Sequence, residues 1–318
     1  MRREDVVIRE VMLRDGLQNL TDFVPTEVKI GIFERLIQSG IRDVEFTSFV
    51  NPKAIPQFQD AGEFARKVMA LKPPGMTASA LVPNLKGAQL ALENGVRNLV
   101  FVMSVSESHN LNNVRRTPAE SVAEAKRIWE LRESYPGMAV KISLATVFGC
   151  PFEGKIKPET TLSFVREYYQ AGFRDMSLAD TVGYGNPREI QEVCGLCRKE
   201  FPDVTFGIHL HNTRGLGLAN SFAAYEAGVR IIDGAVGGLG GCPFAPGASG
   251  NTSTEDLVFM FEEMGVKTGI DLKLLFEVGR YFQSMKQDVC YTSSLLRAGI
   301  PAPKGAITQF GGEQLRNP

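Results

Sequence analysis

Short β-branched or apolar runs recur along the chain at intervals of about 20 to 40 residues, each followed by a segment whose apolar positions keep helical spacing. The runs predict strands over 6–12, 43–46, 76–81, 98–103, 139–145, 175–179, 205–211 and 230–235. Between them, Val28, Ile32 and Leu36 fall at i, i+4 and i+8, and Val122, Ala125 and Trp129 form a second stripe. Thr117-Pro118-Ala119-Glu120 predicts a helix start with a capping residue, a proline at the first helical position and a capping-box glutamate. Asn186-Pro187-Arg188-Glu189 repeats that grammar, and Thr252-Ser253-Thr254-Glu255 opens the eighth helix. Gly40, Gly95, Gly172 and Gly228 lie where helices should end.

Eight strand–helix units predict an α/β fold, a (β/α)8 TIM barrel with parallel strands. A doubly wound open sheet is the second reading, but no dinucleotide-binding glycine fingerprint follows the first strand. The expected organisation is a single domain over 1–318, with the barrel over about 5–268 and one or two extra C-terminal helices over about 269–318.

Charge and cysteine content narrow the partners. A net charge of −1 argues against nucleic acid or an anionic membrane as a partner. No apolar run approaches the roughly 18 residues of a membrane span. The first strand begins near Val6, so no leader is expected and the location is read as cytoplasmic. Five cysteines at 150, 194, 197, 242 and 290 suggest no disulfide framework. Cys194 and Cys197 make a C-x-x-C inside a helical pattern with no second pair, which points to packing.

In such a barrel the reactive groups lie at the C-terminal ends of the strands. Nearly every predicted strand delivers one there. Arg14 and Asp15 follow the first; Glu45, Thr47 and Ser48 end the second; Asn84 and Lys86 follow the third. Ser106, Glu107 and His109 follow the fourth, Cys150 the fifth, and Asp180 and Thr181 the sixth. His209 and His211 end the seventh, and a glycine-rich loop over 237–251 follows the eighth.

The chain has three histidines, and two stand one residue apart on a strand, where i and i+2 share a face. They can present two imidazoles to one metal ion. Asp15, alone a turn residue of an Asp-Gly pair, becomes a candidate third ligand opposite that strand, and the Asn251 side-chain oxygen a fourth. Two imidazoles and two oxygens suit Mg2+ or Mn2+ better than a closed thiolate zinc site. Glu45 is expected to act through a bound water or behind the ligands.

At Arg14-Asp15-Gly16-Leu17-Gln18-Asn19, Thr47-Ser48-Phe49, Pro83-Asn84-Leu85-Lys86-Gly87, Gly149-Cys150-Pro151-Phe152-Glu153-Gly154-Lys155, His209-Leu210-His211 and Gly237-Gly238-Leu239-Gly240-Gly241-Cys242-Pro243, the chain resembles the 3-hydroxy-3-methylglutaryl-CoA lyase family. The resemblance runs from about Val6 to Leu272 with the motifs in the same order. It implies a metal-dependent TIM-barrel lyase that cleaves a 3-hydroxy acyl-CoA by a retro-Claisen reaction to acetyl-CoA and acetoacetate, with Mg2+ or Mn2+. It implies Asp15, His209, His211 and Asn251 as metal ligands and Arg14 as the group polarising the thioester carbonyl. Cys242 would protonate the enolate, and Glu45 and Asp180 would lie near the substrate. Gln18, Ser48, Asn84, Lys86, His109 and Thr181 are the expected substrate and CoA contacts, with Arg115 and Arg116 as further phosphate candidates. The expected partner is an acyl-CoA, and the expected assembly a homo-oligomer, dimer or higher.

The chain departs from the family pattern at Leu13, where proline is usual, and at Leu20, where glutamate is usual. After the histidines, Asn212 replaces an aspartate and Arg214 a tyrosine. These changes leave a sister substrate such as citramalyl-CoA as an alternative. A Claisen-type synthase of the same superfamily is the other, although such enzymes resemble the Gly-Cys-Pro loop less. A non-catalytic metal- or CoA-binding barrel would be expected to lose Arg14 or Cys242, and both are present.

Overall fold

A computed structural model describes residues 5–241 and 250–301. Eight strands close a barrel in sequence order: β1 (Val7–Glu10), β2 (Asp43–Ser48), β3 (Thr77–Val82), β4 (Asn98–Ser104), β5 (Ala139–Ala145), β6 (Asp175–Asp180), β7 (Thr205–Leu210) and β8 (Ile231–Gly234). Each neighbouring pair is parallel, and β1 closes against β8. The helices α1 (Thr26–Gln38), α2 (Ala61–Leu71), α3 (Leu85–Glu93), α4 (Glu107–Val114), α5 (Pro118–Glu130), α6 (Pro158–Gln170), α7 (Pro187–Glu200), α8 (Gly217–Glu226) and α9 (Thr254–Glu263) occupy the connections. Two more, α10 (Leu272–Met285) and α11 (Ser294–Ala298), follow the barrel.

All eight expected strands are present, and the differences lie at their ends. β1 stops at Glu10 because the chain turns into a wide π-type turn over Met12–Gly16, closed by Leu17 N–H donating to the Met12 carbonyl at 2.9 Å. Such turns recur at functional sites, where they re-aim side chains. The capping boxes at Thr117 and Asn186 form as expected, and Ser253 caps α9. The segment before Arg115, where no helical apolar stripe stands out in the sequence, is the helix α4, capped by Ser106. Its few apolar residues hid it, because its buried face is polar: Asn110 accepts from Ser104 N–H and donates to the Arg116 carbonyl and Ser121 Oγ. Cys194 and Cys197 lie in α7 and are buried. Among the described residues, no helix is long and apolar enough to cross a membrane.

The hydrophobic core is the shell between barrel and helices. Val44, Phe46, Phe101, Ile142, Leu144 and Ile208 point into it from the strands and meet Phe33, Phe64, Tyr168 and Phe261 of the helices. The barrel interior is different. Such interiors are commonly filled by bulky branched side chains. Here Arg9, Asp43, Glu45, Ser79, Lys141, Asp175, Ser177 and Asp233 are buried there or nearly so.

Candidate metal centre and active site

The wide turn after β1 sets Arg14 and Asp15 side by side above the barrel. Their side chains are ion-paired, and Arg14 Nε donates to Glu45 Oε1 at 2.5 Å. A bulge in β2 immediately after Glu45 shifts the register against β3, fixing the strand where its carboxylate meets Arg14. Glu45 also faces Lys141 Nζ of β5 at 3.5 Å. Burial works against ionising Asp15 and Glu45, but Arg14 overrides it, holding Asp15 well below the usual carboxylate range and Glu45 below it with help from Lys141. Arg14 stays charged at any working pH.

Across the opening, His209 and His211 present their Nε2 atoms 3.2 Å apart. Asp15 Oδ2 lies 3.6 Å from His211 Nε2 and 4.0 Å from His209 Nε2. The far side of the His209 ring is fixed by Asp233 of β8, with Nδ1 and Oδ2 3.1 Å apart. Asp233 in turn meets Arg9 at 3.4 Å, and Arg9 meets Asp43 at 3.0 Å. This carboxylate–histidine arrangement orients the ring and turns Nε2 toward the opening.

The donor set fits a cation. Metal bonds of about 2.1 Å at right angles put two nitrogens about 3 Å apart, close to the observed imidazole spacing. The ligand atoms of Asp15, His209 and His211 all lie within 4.8 Å of one another. The ion-paired network has four carboxylates, Asp15, Asp43, Glu45 and Asp233, against the three cations Arg9, Arg14 and Lys141. With neutral imidazoles it keeps an excess of negative charge. Asn251 is beside the cluster, but its Nδ2 faces Asp15 Oδ2 at 2.7 Å and the Leu239 carbonyl at 2.9 Å. Ligation by Asn251 requires the amide to turn so that its oxygen faces the ion.

These groups line the wall of a cleft of about 210 Å³. Arg14, Asp15, Gln18 and Glu45 form one side, His209, His211 and Asp233 another, and Ser143, Ala145, Ala179 and Thr181 the strand ends between. Leu81, Val102, His109, Asn113 and Val114 close it from β3, β4 and α4. His109 is buried, 2.7 Å from Ser104 Oγ through Nδ1, and burial lowers its pKa to about 4, so it is neutral near pH 7. Thr181 Oγ1 accepts from Thr146 N–H at the cleft edge.

Other expected site residues stand outside the cleft wall. Both oxygens of Asp180 accept backbone N–H groups, from Tyr184 at 2.9 Å and Gly185 at 3.0 Å, closing the turn after β6. Ser48 is buried at the end of β2, and its Oγ has no partner among the described residues. Asn84 caps α3 by accepting from Gly87 N–H at 2.9 Å, and Lys86 is exposed beside it. Arg115 is exposed, and Arg116 donates to the Pro83 carbonyl at 2.8 Å. Asn212 accepts from Gly217 N–H, while Arg214 donates to the Val182 and Gly183 carbonyls. Both departures thus brace loops. Cys242 lies outside the described residues. Sequence reasoning missed Asp233, Lys141 and Arg9. For Asp233 and Lys141 the signal is a single charge in an otherwise apolar strand, as in Ile231-Ile232-Asp233 and Val140-Lys141-Ile142, whereas Arg9 is adjoined by Glu10.

Comparison with known proteins shows the family. The hydroxymethylglutaryl-CoA lyase of Bacillus subtilis is 38% identical over 278 residues, covering 87% of this chain and 92% of that protein. The (R)-citramalyl-CoA lyase of Chloroflexus aurantiacus is 39% identical over 281 residues, covering 86% and 88%. A solved HMG-CoA lyase from A. baumannii, in complex with coenzyme A and 3-methylmalate, superposes with a TM-score of 0.88 at 41% identity, covering 95% of this chain and 99% of that one. Residues 5–281 match the HMGL-like family model, and the chain belongs to that family.

Proposed function

We propose that this chain is a carbon–carbon lyase that cleaves the C2–C3 bond of a 3-hydroxy-3-methyl acyl-CoA, with 3-hydroxy-3-methylglutaryl-CoA as its first substrate and acetyl-CoA and acetoacetate as products. The observation that carries the reading is the meeting of Asp15, His209 and His211 beside the Arg14–Glu45 pair at one rim of an HMGL-like barrel. Retro-Claisen cleavage takes the proton from the tertiary alcohol, breaks C2–C3 and leaves the electron pair on the thioester as an enolate, which then takes a proton at C2. Mg2+ or Mn2+, held by Asp15, His209, His211 and Asn251, would supply acidification of that alcohol.

Arg14 provides the positive charge for the thioester oxygen. Its guanidinium is held between Asp15 and Glu45, so it is oriented before substrate arrives. Asp233 keeps His209 from rotating away. Cys242, which follows four glycines of 237–241 in sequence, is the proposed proton donor to the enolate. Gln18, His109 and Thr181 line the cleft for the acyl group. Asn84 and Lys86, at the start of α3, are proposed to meet coenzyme A. Asp180 supports the rim from behind by closing the turn after β6.

A citramalyl-CoA lyase activity is the second reading, favoured by the comparable identity to relatives of both names. A panel of CoA thioesters assayed for acetyl-CoA release with Mg2+ or Mn2+ decides. Turnover of hydroxymethylglutaryl-CoA above citramalyl-CoA supports the first reading, the reverse ranking the second, and release from neither overturns both. Exhaustive chelation should abolish the turnover and added Mn2+ restore it; full activity without metal refutes the cation site.

A further inference from the structure

Two buried carboxylates take no part in the cleft. Glu10 ends β1 and points outward, opposite to Arg9, and Glu255 lies in the first turn of α9; both are fully buried. Neither has a cationic hydrogen-bond partner among the described residues. Glu10 Oε2 accepts from Met12 N–H at 2.9 Å. Its Oε1 accepts from Val236 N–H at 2.7 Å and from Thr254 Oγ1 at 3.3 Å. Glu255 takes Gly237 N–H at 3.0 Å from each oxygen and Ser253 Oγ at 2.7 Å.

The donors belong to two segments that meet at the site. Met12 opens the turn carrying Arg14 and Asp15, and Val236 and Gly237 open the glycine-rich segment after β8. Further along, that segment touches the turn again: Asn19 Nδ2 donates to the Gly241 carbonyl, and a Cβ on Gly240 would lie 2.9 Å from the Asp15 carbonyl. Gly237 has φ of +72°. A Cβ there would stand 2.7 Å from the Tyr291 ring, so the root of the segment is held from above as well. Burying a carboxylate without a counter-ion is costly. A carboxylate, once ionised, is nonetheless the one side chain that offers two acceptor oxygens and no donor, which a convergence of N–H and O–H groups requires.

We propose that Glu10 and Glu255 are positioning residues that lock the Arg14–Asp15 turn to the root of the glycine-rich segment, keeping the two sides of the cleft at one spacing. Its kinetic consequence rests on the lyase reading; its structural consequence does not. In the full-length protein with Mg2+, held at a pH above about 8 where Glu10 is ionised, Glu10→Gln places an amide NH2 against backbone donors. We expect amide hydrogen exchange at Met12 and Val236 to accelerate together by about 10-fold or more, the size of a lost charge-assisted hydrogen bond. We expect kcat to fall by about 10-fold with KM changed less than about 3-fold, because reacting groups are displaced while binding contacts remain. Glu255→Gln should release Gly237 in the same way, and the double variant should be little worse than the poorer single one. Should Glu10→Gln fail to fold, Glu255→Gln and Glu10→Asp carry the test with the same readouts. Acceleration confined to one segment, or kcat within about 2-fold of the parent in folded variants, overturns the proposal. A parent protein that turns over no thioester overturns the lyase reading instead, and leaves the exchange measurement to decide this one.

Discussion

On β2, Val44 and Phe46 enter the shell between barrel and helices, whereas Asp43 and Glu45 enter the barrel itself, so neighbouring residues of one strand live in different media. β5 repeats this with Ile142 and Leu144 outside and Lys141 and Ser143 inside. The outer side is an apolar solid: the Phe46 and Phe64 rings meet edge-on at 5.5 Å, and Phe101 and Phe261 are fully buried. The inner side is a chain of ion pairs from Asp43 through Arg9 and Asp233 to His209. Such pairs contribute little net stability because desolvation offsets their attraction. The comparison therefore assigns folding energy to the outer side and pre-set geometry to the inner one.

The strongest way to break that division is to cut each side in turn. Phe101→Ala should cost about 3–5 kcal/mol in chemical unfolding while turnover per folded molecule stays near the parent value. An equal loss of turnover in the folded fraction would mean that the two sides are not separable. Arg14→Ala should do the opposite, lowering kcat by about 10²–10³-fold, or about 2.7–4 kcal/mol of barrier, as loss of an oxyanion donor does elsewhere. Near-parental kcat in that variant would remove Arg14 from the chemistry. Asp233→Asn sharpens the inner side further. It should weaken Mn2+ binding by about 10–100-fold, read by titration calorimetry, since His209 loses the carboxylate that orients it. Unchanged affinity would reduce Asp233 to a partner of Arg9.

The smallest expected effect comes from the two carboxylates that violate the division by sitting buried on the outer side. Burial raises Glu10 to about 8 and Glu255 to about 7, from an ordinary value of 4.5. Glu10 faces Glu255, and Asp256 adds negative potential on Glu255. The folded protein thus binds their protons more tightly than the unfolded chain. Their contribution is complete below about 4.5 and is lost as pH rises through about 7 and 8. Parent Tm should therefore decline over that interval more steeply than Tm of the Glu10→Gln, Glu255→Gln double variant. Parallel curves would contradict the raised values.

Much of this was legible in the sequence, for identifiable reasons. Barrel strands alternating with helices leave a period that survives in apolar runs, and capping boxes at Thr117 and Asn186 act locally. His209 and His211 were visible because i and i+2 share a face on any strand. The end of β1 was not, because the turn after it depends on Glu10 accepting the Met12 N–H, a contact made possible only by burial against β8 and α9. α4 escaped notice because it is anchored by Asn110 and not by an apolar stripe. Asp233 and Lys141 left only the weak local mark of one charge in an apolar strand, Arg9 is adjoined by Glu10, and the partners of all three are remote in sequence.

The closure of β1 onto β8 bears on how the protein comes into being. Asp15 and Asn251 are separated by 236 positions, and the two histidines by nearly 200 from Asp15, so every approach of Asp15 to the other members of the cation cluster is long-range. During synthesis the ribosome must release the chain through β7, β8 and Asn251 before Asp15 can face all the other members of the cluster. Loop-closure entropy must be overcome before those contacts return any stability. Cation capture at this cluster therefore reports a finished barrel, and a prematurely terminated chain ending before β7 lacks both histidines of the cluster.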